Sequence, residues 1–455
     1  DFTDALLTGL ASDGGLYVPE SWPQIGADEI AGFAGQPYAA VAERVLHAFA
    51  PEIDRETLRR TCEEVYAGFT HPATAPLVQI DTDHFVLELF RGPTLAFKDF
   101  AMRMLARLMD DALKARGRRA TILAATSGDT GAAAQDAFKN LDAIDVVTLF
   151  PYGRVSEVQR RQMTTVDAPN VHAVAIDGTF DDCQDIVKAL FARDDFREGV
   201  RLSAVNSINW ARIAAQVVYY FTAAAALGAP HRAVAFSVPT GNFGDILAGY
   251  AAARMGLPVA RLMVATNVND ILTRCLETGI YEAQGVVATQ SPSMDIQVSS
   301  NFERLLYETH DRDASAVAAL MAQFKAERRF TIEEPALSRI RALFSAHRTD
   351  EDATRAAIAR VYEATGYLID PHTAVGVAAA EGDPAMDGHP IVTLGTAHPA
   401  KFPDAVQAAS GIRPALPAHL ADLLERPERM VRMANDADQV ADYVFAQSRE
   451  ARAAA

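Results

Sequence analysis

The sequence predicts an α/β protein with parallel β-sheet and at least two domains. Its 455 residues amount to about three typical domain lengths. Between about residues 85 and 265, short β-branched apolar runs alternate with helix-length stretches, which is typical of βαβ units around a parallel sheet. Apolar residues make up 49% of the chain and charged residues 22%, as in ordinary globular proteins. Extensive disorder is therefore not expected.

Helical patterns open the chain, and alternating strands and helices follow. Helical spacing over 38–50 and 56–69 predicts a mostly helical segment over residues 1–75, and two prolines in 71–76 indicate a linker. Predicted strands cover residues 85–90, 120–124, 145–150, 171–176, 202–205, 233–238, 262–265 and 391–394. Predicted helices between them include 98–114, 181–193 and 210–227. Residues 311–365 and 415–455 are alanine-rich and are also predicted to be helical.

Charge and cysteine usage exclude several classes of partner. The net charge of −17, from 42 basic and 59 acidic side chains, offers no electrostatic basis for binding nucleic acid. Cys62, Cys183 and Cys275 lie far apart, so neither a disulfide framework nor a metal site is expected, and we predict that all three are buried. The longest apolar stretch, 214–229, is too short to cross a bilayer, so no membrane association is expected. Without a signal-peptide pattern, a cytoplasmic location is expected.

Lys98 is the first candidate for chemistry. It lies where a loop, 91–97, enters a predicted helix, and Phe97 and Phe100 flank it. Such a lysine is often only a solvated helix start. An apolar, partly desolvated setting would instead lower its pKa and permit Schiff-base chemistry.

Two glycine-containing loops follow predicted strands, where ligands bind in open α/β sheets. In 239–245, backbone N–H groups at a helix start can hold a phosphate, although a plain tight turn is the alternative. The loop is neither G-x-G-x-x-G nor a Walker sequence, which disfavours a nucleotide. The loop 126–131 suits a substrate carboxylate, or it serves only as a helix cap through Ser127 or Asp129.

Two further loops carry polar groups at strand ends. Amide, hydroxyl and guanidinium donors in 206–212 can grip a second phosphate, the alternative being a helix cap beside a surface arginine. In 396–402, the hydroxyl of Thr396 can face a ring nitrogen, and His398 alone is more often a structural hydrogen-bonding group than a catalyst.

Taken together, the motifs resemble the threonine synthase family, in the tryptophan-synthase-β-like group of pyridoxal-phosphate (PLP) enzymes. The motifs that carry the resemblance are residues 9–19, 92–100, 127–131, 206–209, 241–245, 370–376 and 396–402. Their joint order and spacing are far more specific than any one of them. The chain length and the Phe97-Lys98-Asp99 form are similar to the longer bacterial and fungal branch of the family.

The resemblance implies a fold-type-II PLP enzyme with two open parallel-sheet α/β domains plus N-terminal and C-terminal helical segments. The larger, PLP-binding domain would comprise residues 76–115 and 210–400, with a helical insertion near 311–365. The smaller α/β domain would comprise residues 116–209. Residues 401–455 would form a helical tail.

The resemblance also implies roles for individual residues. Lys98 would be the Schiff-base lysine and catalytic base. The other cofactor contacts would be Gly241, Asn242, Phe243, Gly244, Asp245 and Thr396, the last on the pyridine nitrogen. The substrate contacts would be Ser127, Gly128, Asp129, Thr130, Arg154, Asn206, Ser207 and Arg212. No metal is implied. An ionised Asp129 cannot donate a hydrogen bond, so its contact with the cofactor stays open.

The implied reaction converts O-phospho-L-homoserine and water to L-threonine and phosphate, the last step of threonine biosynthesis, by γ-elimination and β-addition of water. The implied assembly is a monomer or homodimer. One alternative is another lyase of this fold, a threonine dehydratase or phospho-amino-acid phospholyase, against which the donor set at 206–212 argues. The other is a catalytically inactive homologue, against which the intact Lys98 and 241–245 loop argue.

Overall fold

A computed structural model describes residues 1–203 and 205–454. Its strands are β1 (Leu77–Gln79), β2 (His84–Glu88), β3 (Ala120–Ala125), β4 (Ile144–Pro151), β5 (Val171–Asp177), β6 (Leu202–Ser203), β7 (Val234–Pro239), β8 (Val259–Thr266), β9 (Ile280–Glu282), β10 (Arg329–Thr331), β11 (Phe344–Arg348), β12 (Ile391–Gly395) and β13 (Val431–Ala434).

The α-helices of the described residues cover both ends of the chain and the connections between strands. They are α1 (Phe2–Thr8), α2 (Ala27–Gly32), α3 (Tyr38–Phe49), α4 (Arg55–Tyr66), α5 (Lys98–Ala115), α6 (Asp129–Phe138), α7 (Glu157–Thr164), α8 (Phe180–Phe191), α9 (Asp194–Gly199), α10 (Trp210–Ala226), α11 (Gly244–Arg254), α12 (Ile271–Thr278), α13 (Phe302–Thr309), α14 (Ala314–Glu327), α15 (Ala336–Leu343), α16 (Glu351–Thr365), α17 (Pro371–Glu381), α18 (Pro403–Ser410), α19 (Ala437–Gln447) and α20 (Arg449–Ala454).

The larger sheet has six strands in the order β1-β2-β12-β7-β8-β11. All neighbours are parallel except β1, which pairs antiparallel with β2. Because β12 lies between β2 and β7, the loops that leave the carboxyl ends of these three strands emerge side by side. That edge is where open α/β sheets bind ligands.

The smaller sheet has five parallel strands in the order β13-β5-β4-β3-β6. Its central strand β4 is buried along its whole length, as expected for a strand covered by helices on both faces. The predicted strand at 202–205 is confirmed over 202–203, and position 204 lies outside the described residues. The parallel α/β fold class is thereby confirmed.

The N-terminal helices pack against α5 through aromatic side chains. Tyr38 of α3 and Tyr66 of α4 have ring centroids 4.7 Å apart, and both contact Phe100 of α5. Phe69 completes this group at 4.5 Å from Phe100. Offset and edge-on ring pairs stabilise a core beyond their burial alone. The N-terminal segment therefore braces the helix that begins at Lys98.

Two predicted helical regions also contain strands. Within 311–365, β10 pairs with β9, and β11 extends the larger sheet beside β8. In the C-terminal tail, β13 adds a parallel edge strand to the smaller sheet beside β5. An exclusively helical reading of both regions is therefore wrong. The local sequence of these segments has only a weak preference for helix or strand. They form strands because each pairs with the edge of a strand that is distant in sequence.

The strand and cysteine predictions agree with the structure. Each of the eight predicted strands is confirmed within three residues at either end. All three cysteines are buried and free, as predicted. Within residues 1–203 and 205–454, no helix is long and apolar enough to cross a membrane. The same residues contain no cluster of three or more acidic, histidine or cysteine side chains arranged to hold a metal ion.

Candidate active site

The loop before Lys98 and the loop after β12 are joined by backbone hydrogen bonds. The N–H of Phe97 donates to the carbonyl of Thr396 at 2.9 Å, and the N–H of His398 donates to the carbonyl of Leu95 at 3.0 Å. Leu95 adopts a left-handed conformation with φ of 63°. This unusual turn places the start of α5 directly beside Thr396.

Lys98 is the first residue of α5, and its side chain is only 12% exposed. Its Nζ lies 4.5 Å from the centroid of the Phe97 ring and 3.8 Å from Oδ2 of Asp129. Burial lowers the pKa of Lys98; the Asp129 carboxylate opposes this shift, and the charges of Lys401 and Arg212 add to it. A larger share of the amine is therefore neutral than for a lysine in water, as nucleophilic or base chemistry requires.

Asp99 fixes the loop that precedes Lys98. Both its carboxylate oxygens accept hydrogen bonds from Thr94, one from the backbone N–H at 2.8 Å and one from the hydroxyl. A Cβ at Gly92 would lie 2.4 Å from Oδ2 of Asp99, so only glycine fits there. Burial raises the pKa of Asp99 to about 6. The loop is thus held by buried polar contacts rather than by solvent.

The glycine loop after β7 forms a cradle at the start of α11. Phe243 is left-handed with φ of 61° and is the N-cap of α11, whose first N–H groups have no partner within the helix. A Cβ at Gly241 would come within 2.9 Å of the carbonyl of Ser293. The carbonyl of Asn242 accepts from both the backbone and the side chain of Asn301, at 3.1 and 3.0 Å. With its carbonyls engaged, the loop leaves donors for an anion.

Asp245 lies one residue into α11 and is buried. Its Oδ1 accepts from the hydroxyls of Tyr219 at 2.5 Å and Tyr220 at 3.2 Å. Its Oδ2 is buried and has no hydrogen-bond partner in the described part of the chain. Burial raises the pKa of Asp245 to about 7. A carboxyl that stays partly protonated near neutrality can lie close to a phosphate without the full repulsion between two anions.

Arg212 in α10 is a buried cation without a carboxylate partner in the described residues. It is 4% exposed, and one of its guanidinium nitrogens donates to the carbonyl of Val205 at 3.2 Å. Its Nε is buried and unpaired. Burial lowers the pKa of Arg212 to about 10. Because an unpaired buried charge is costly, this arrangement indicates an anionic ligand. Nearby, Asn206 is exposed and Ser207 is half-buried.

The loop after β3 leads into Asp129, which contacts a lysine in the loop that follows β12. Its Oδ1 accepts from Nε2 of Gln159 at 2.8 Å and pairs with Nζ of Lys401 at 2.7 Å. Burial acts to raise the pKa of Asp129, but the charges of Lys401 and Lys98 outweigh it and hold the pKa below the usual range. Asp129 is therefore an acceptor only. In the same loop, Ser127 is exposed and Gly128, with φ of 140°, packs against Gln159.

Thr396, His398 and Arg154 differ in burial. Thr396 is 6% exposed, and its hydroxyl has no protein hydrogen-bond partner within the described ranges. Burial lowers the pKa of His398 to about 4, and its Nδ1 accepts from the N–H of Ala400, which is a structural role. Arg154 lies on the exposed loop after β4 and makes no ion pair with the site in the described residues.

The structure adds side chains that the sequence did not single out as site residues. These are Gln159, Tyr219, Tyr220, Ser293, Asn301, Arg304, His372 and Lys401. Lys401 and His372 belong to two of the motifs on which the resemblance rests, but their positions in the sequence do not indicate what either side chain contacts. Arg304 is fully buried and donates hydrogen bonds to the carbonyls of Tyr17 and Ile208 and to the side chain of Asn301. It therefore connects the motif 9–19 with the loop 206–212.

PLP fits this cleft. A desolvated lysine lies at one strand end, and a cradle that a Cβ at Gly241 would obstruct lies at another. Between them lies a threonine whose hydroxyl has no hydrogen-bond partner in the part of the chain that the structure describes. The fold and site therefore define a PLP-dependent enzyme of the parallel α/β type.

Comparison with known proteins identifies the family. Residues 71–396 match the family model "Pyridoxal-phosphate dependent enzyme", residues 1–66 "Threonine synthase N terminus" and residues 373–444 "Threonine synthase, C-terminal". Threonine synthase of Pseudomonas aeruginosa is 54% identical over 98% of this chain and 95% of its own length. The chain belongs to the threonine synthase family and is a PLP-dependent lyase.

Solved structures agree with this assignment. The PLP-bound threonine synthase from Brucella melitensis superposes with a TM-score of 0.96 at 56% identity, covering 98% of this chain and 97% of that one. The yeast threonine synthase superposes with a TM-score of 0.93 at 37% identity, covering 98% and 96%. The expected fold type and cofactor are thereby confirmed.

Proposed function

We propose that this cleft converts O-phospho-L-homoserine and water to L-threonine and phosphate. The observation that carries the proposal is the buried guanidinium of Arg212, which has no carboxylate partner among the described residues and whose charge acts on Lys98. The glycine loop at 241–244 offers an anion site for the phosphate of PLP. Arg212 then offers a second site for a phosphate on the substrate. A dehydratase acting on threonine itself has no second phosphate to bind.

The larger domain would hold PLP. Lys98 would be the attachment point, the N–H groups of residues 241–244 would hold the phosphate with Asp245 beside them, and the hydroxyl of Thr396 would be available to the ring nitrogen. PLP bound there supplies an electron sink for negative charge that develops on substrate carbons. A neutral hydroxyl opposite the ring nitrogen does not enforce its protonation, which favours elimination over transamination.

Lys98 would act as the general base. Its lowered pKa allows the free amine to take the α-proton of the substrate and afterwards the β-proton. Burial beside the Phe97 ring limits water around the amine. The γ-carbon–oxygen bond then breaks and phosphate leaves with the bonding electrons. The γ-carbon takes up a proton, water adds its hydroxyl to the β-carbon and gives up a proton, and a proton returns to the α-carbon.

The substrate would be held at both ends. Arg212, Asn206 and Ser207 donate to its phosphate, and Arg154 adds a positive charge from the exposed side. The N–H and hydroxyl groups of Ser127, Gly128 and Thr130 meet its carboxylate. Asp129 is ionised and can only accept hydrogen bonds. We therefore propose that it interacts with Lys98 and Lys401 and does not donate a hydrogen bond to PLP.

We also propose the wider setting of the enzyme. Residues 76–115 and 210–400 form the PLP-binding domain and residues 116–209 the smaller one, with β13 joining the latter at its edge. A cytoplasmic monomer or homodimer is consistent with three buried, free cysteines.

The test is product analysis with purified holoenzyme. Incubation with O-phospho-L-homoserine should release phosphate and form L-threonine in equal amounts. The matched control is Lys98→Ala, which should form neither. Formation of a 2-oxo acid from threonine, without threonine from O-phospho-L-homoserine, would favour the dehydratase instead.

A further inference from the structure

A second lysine, Lys401, is buried in the same cleft, and the proposed reaction gives it no role. Its side chain is 0% exposed. Its Nζ donates to the carbonyl of Thr94 at 2.8 Å and pairs with Oδ1 of Asp129 at 2.7 Å. Burying a lysine this completely is costly unless its charge is matched, so its placement needs an explanation.

We propose that Lys401 is a positioning residue for Lys98, because it holds the Asp129 carboxylate at a fixed place beside the Lys98 amine. The inference rests on the proposed function, in which Lys98 is the base. Lys401 itself contacts neither of the two anion sites described above.

The two carboxylate oxygens of Asp129 contact different side chains. Oδ1 takes the short contacts, from Lys401 at 2.7 Å and from Gln159 at 2.8 Å. Oδ2 lies 3.8 Å from Nζ of Lys98 and 3.5 Å from Oγ of Ser293. Lys401 therefore draws the carboxylate to one side, and the Lys98 amine stays beyond hydrogen-bonding distance of it.

Lys401 also connects three separate parts of the site. Through Thr94 it contacts the loop that precedes Lys98, through Asp129 it contacts the smaller domain, and its own loop carries Thr396. Gln162 donates to the same Thr94 carbonyl at 3.0 Å, which fixes that junction further. One buried cation thus links the cofactor side of the cleft to the substrate side.

Charge gives the sign of the expected effect. The charged or titratable groups that act on Lys98 are Asp129, Lys401, Arg212 and Asp245. Removing Lys401 takes away a cation and leaves Asp129 to attract Lys98 alone, so both changes raise the pKa of Lys98. Removing the charge of Asp129 has the opposite effect. The two variants should move the pKa of the base in opposite directions, which a purely structural role would not do.

The experiment is the dependence of kcat on pH for holoenzymes of the wild type, K401M and D129N. For K401M the acid limb should move up by about one pH unit, so that kcat is about tenfold lower on that limb and approaches the wild type at alkaline pH. For D129N the acid limb of the kcat profile should move to lower pH. As a readout independent of turnover, the rate at which the PLP-depleted full-length chain recaptures PLP should shift with pH in the same way.

Matched variants separate charge from packing. K401R keeps the cation and should keep the acid limb near that of the wild type. If K401M does not fold because Asp129 is left unpaired, K401Q, which removes the charge but keeps a hydrogen-bond donor toward Asp129, is measured in its place, and its acid limb should also lie at higher pH. An acid limb at the wild-type position in the charge-removing variant, or a pH-independent loss of kcat, would overturn the inference. A wild type that forms no threonine would contradict the proposed function instead.

Discussion

The two sides of the cleft differ in how completely the protein holds its functional groups. On the side of the larger sheet, Lys98, Asp245 and Thr396 are almost fully buried, and Asp245 accepts hydrogen bonds from two tyrosine hydroxyls. On the side of the smaller sheet, Ser127 and Arg154 are exposed, whereas Asp129 is buried and contacts Gln159 and Lys401. Arg212 belongs to the buried group although its expected ligand is the substrate.

The difference shows which groups depend on preorganisation. Proton transfer to a base and a hydrogen bond to the cofactor ring both tolerate displacements of only a few tenths of an ångström. The side chains that make these contacts must therefore be held in position before the ligand binds. A charge that attracts a phosphate from the solvent side tolerates exposure, but water screens it. Variants on the buried side should therefore have larger effects than variants on the exposed side.

The largest effect should come from Lys98→Ala. The variant lacks both the point of PLP attachment and the proposed base, and general-base catalysis alone is worth about 10²–10⁴-fold. Threonine formation should be lost, together with the visible absorbance of bound PLP. Substantial residual turnover would remove Lys98 from the centre of the site.

Arg212→Ala should rank second and sharpen the comparison with Arg154. Loss of a charge-assisted phosphate contact costs about 1.5–3 kcal/mol, which is about ten- to hundredfold in KM, whereas PLP retention should change far less. Arg154→Ala is the matched control, and its effect should stay within about fivefold because exposed charge contacts are worth about 0.2–1 kcal/mol. Equal loss of PLP and substrate in Arg212→Ala would indicate a structural arginine.

Thr396 tests the hydrogen bond to the cofactor ring. Thr396→Val keeps the volume but leaves a buried ring nitrogen unpaired, at a cost of about 1–3 kcal/mol, so PLP retention and α-proton exchange should both fall. Thr396→Ser keeps the hydroxyl and should keep most activity. Thr396→Asp should favour a protonated ring nitrogen, shift the absorbance and increase transamination side-products. If Val equals the wild type in all three measurements, Thr396 does not touch the ring.

Among the buried-side variants, Asp245→Asn should have the smallest effect, because Asn keeps the shape and hydrogen-bonding capacity of a protonated carboxyl, and the effect should be on stability rather than on turnover. The pKa of Asp245 is raised from 3.8 to about 7, so the folded protein binds this proton more tightly than the unfolded chain. The resulting stabilisation is present at low pH and is lost as the pH rises from about 4 to about 7. Asn imitates the protonated carboxyl at every pH. The Tm of the variant minus that of the wild type should therefore increase, by about a few degrees, between pH 5 and 8. A difference that stays constant over this range would contradict a raised pKa.

Local sequence was sufficient for much of this site. The pattern that predicted a helix from residue 98 gave α5, which begins at Lys98, and each predicted strand end carries the expected loop. These features depend on short-range periodicity, glycine and the usual placement of ligands at strand ends. The sequence also carried the family motifs from which PLP and the reaction class were inferred.

Pairings between distant segments were decided only by the tertiary structure. Nothing near Asp129 in the sequence indicates that Lys401 neutralises it, and nothing near Val431 indicates that β13 joins the smaller sheet. The pKa values of Lys98, Asp245 and Arg212 depend on burial and on charges brought together by folding. The sequence by itself determined the kinds of functional group and their strand-end loops. Folding determined their protonation and partners, because desolvation and Coulomb interactions depend on distance in space rather than on separation along the chain.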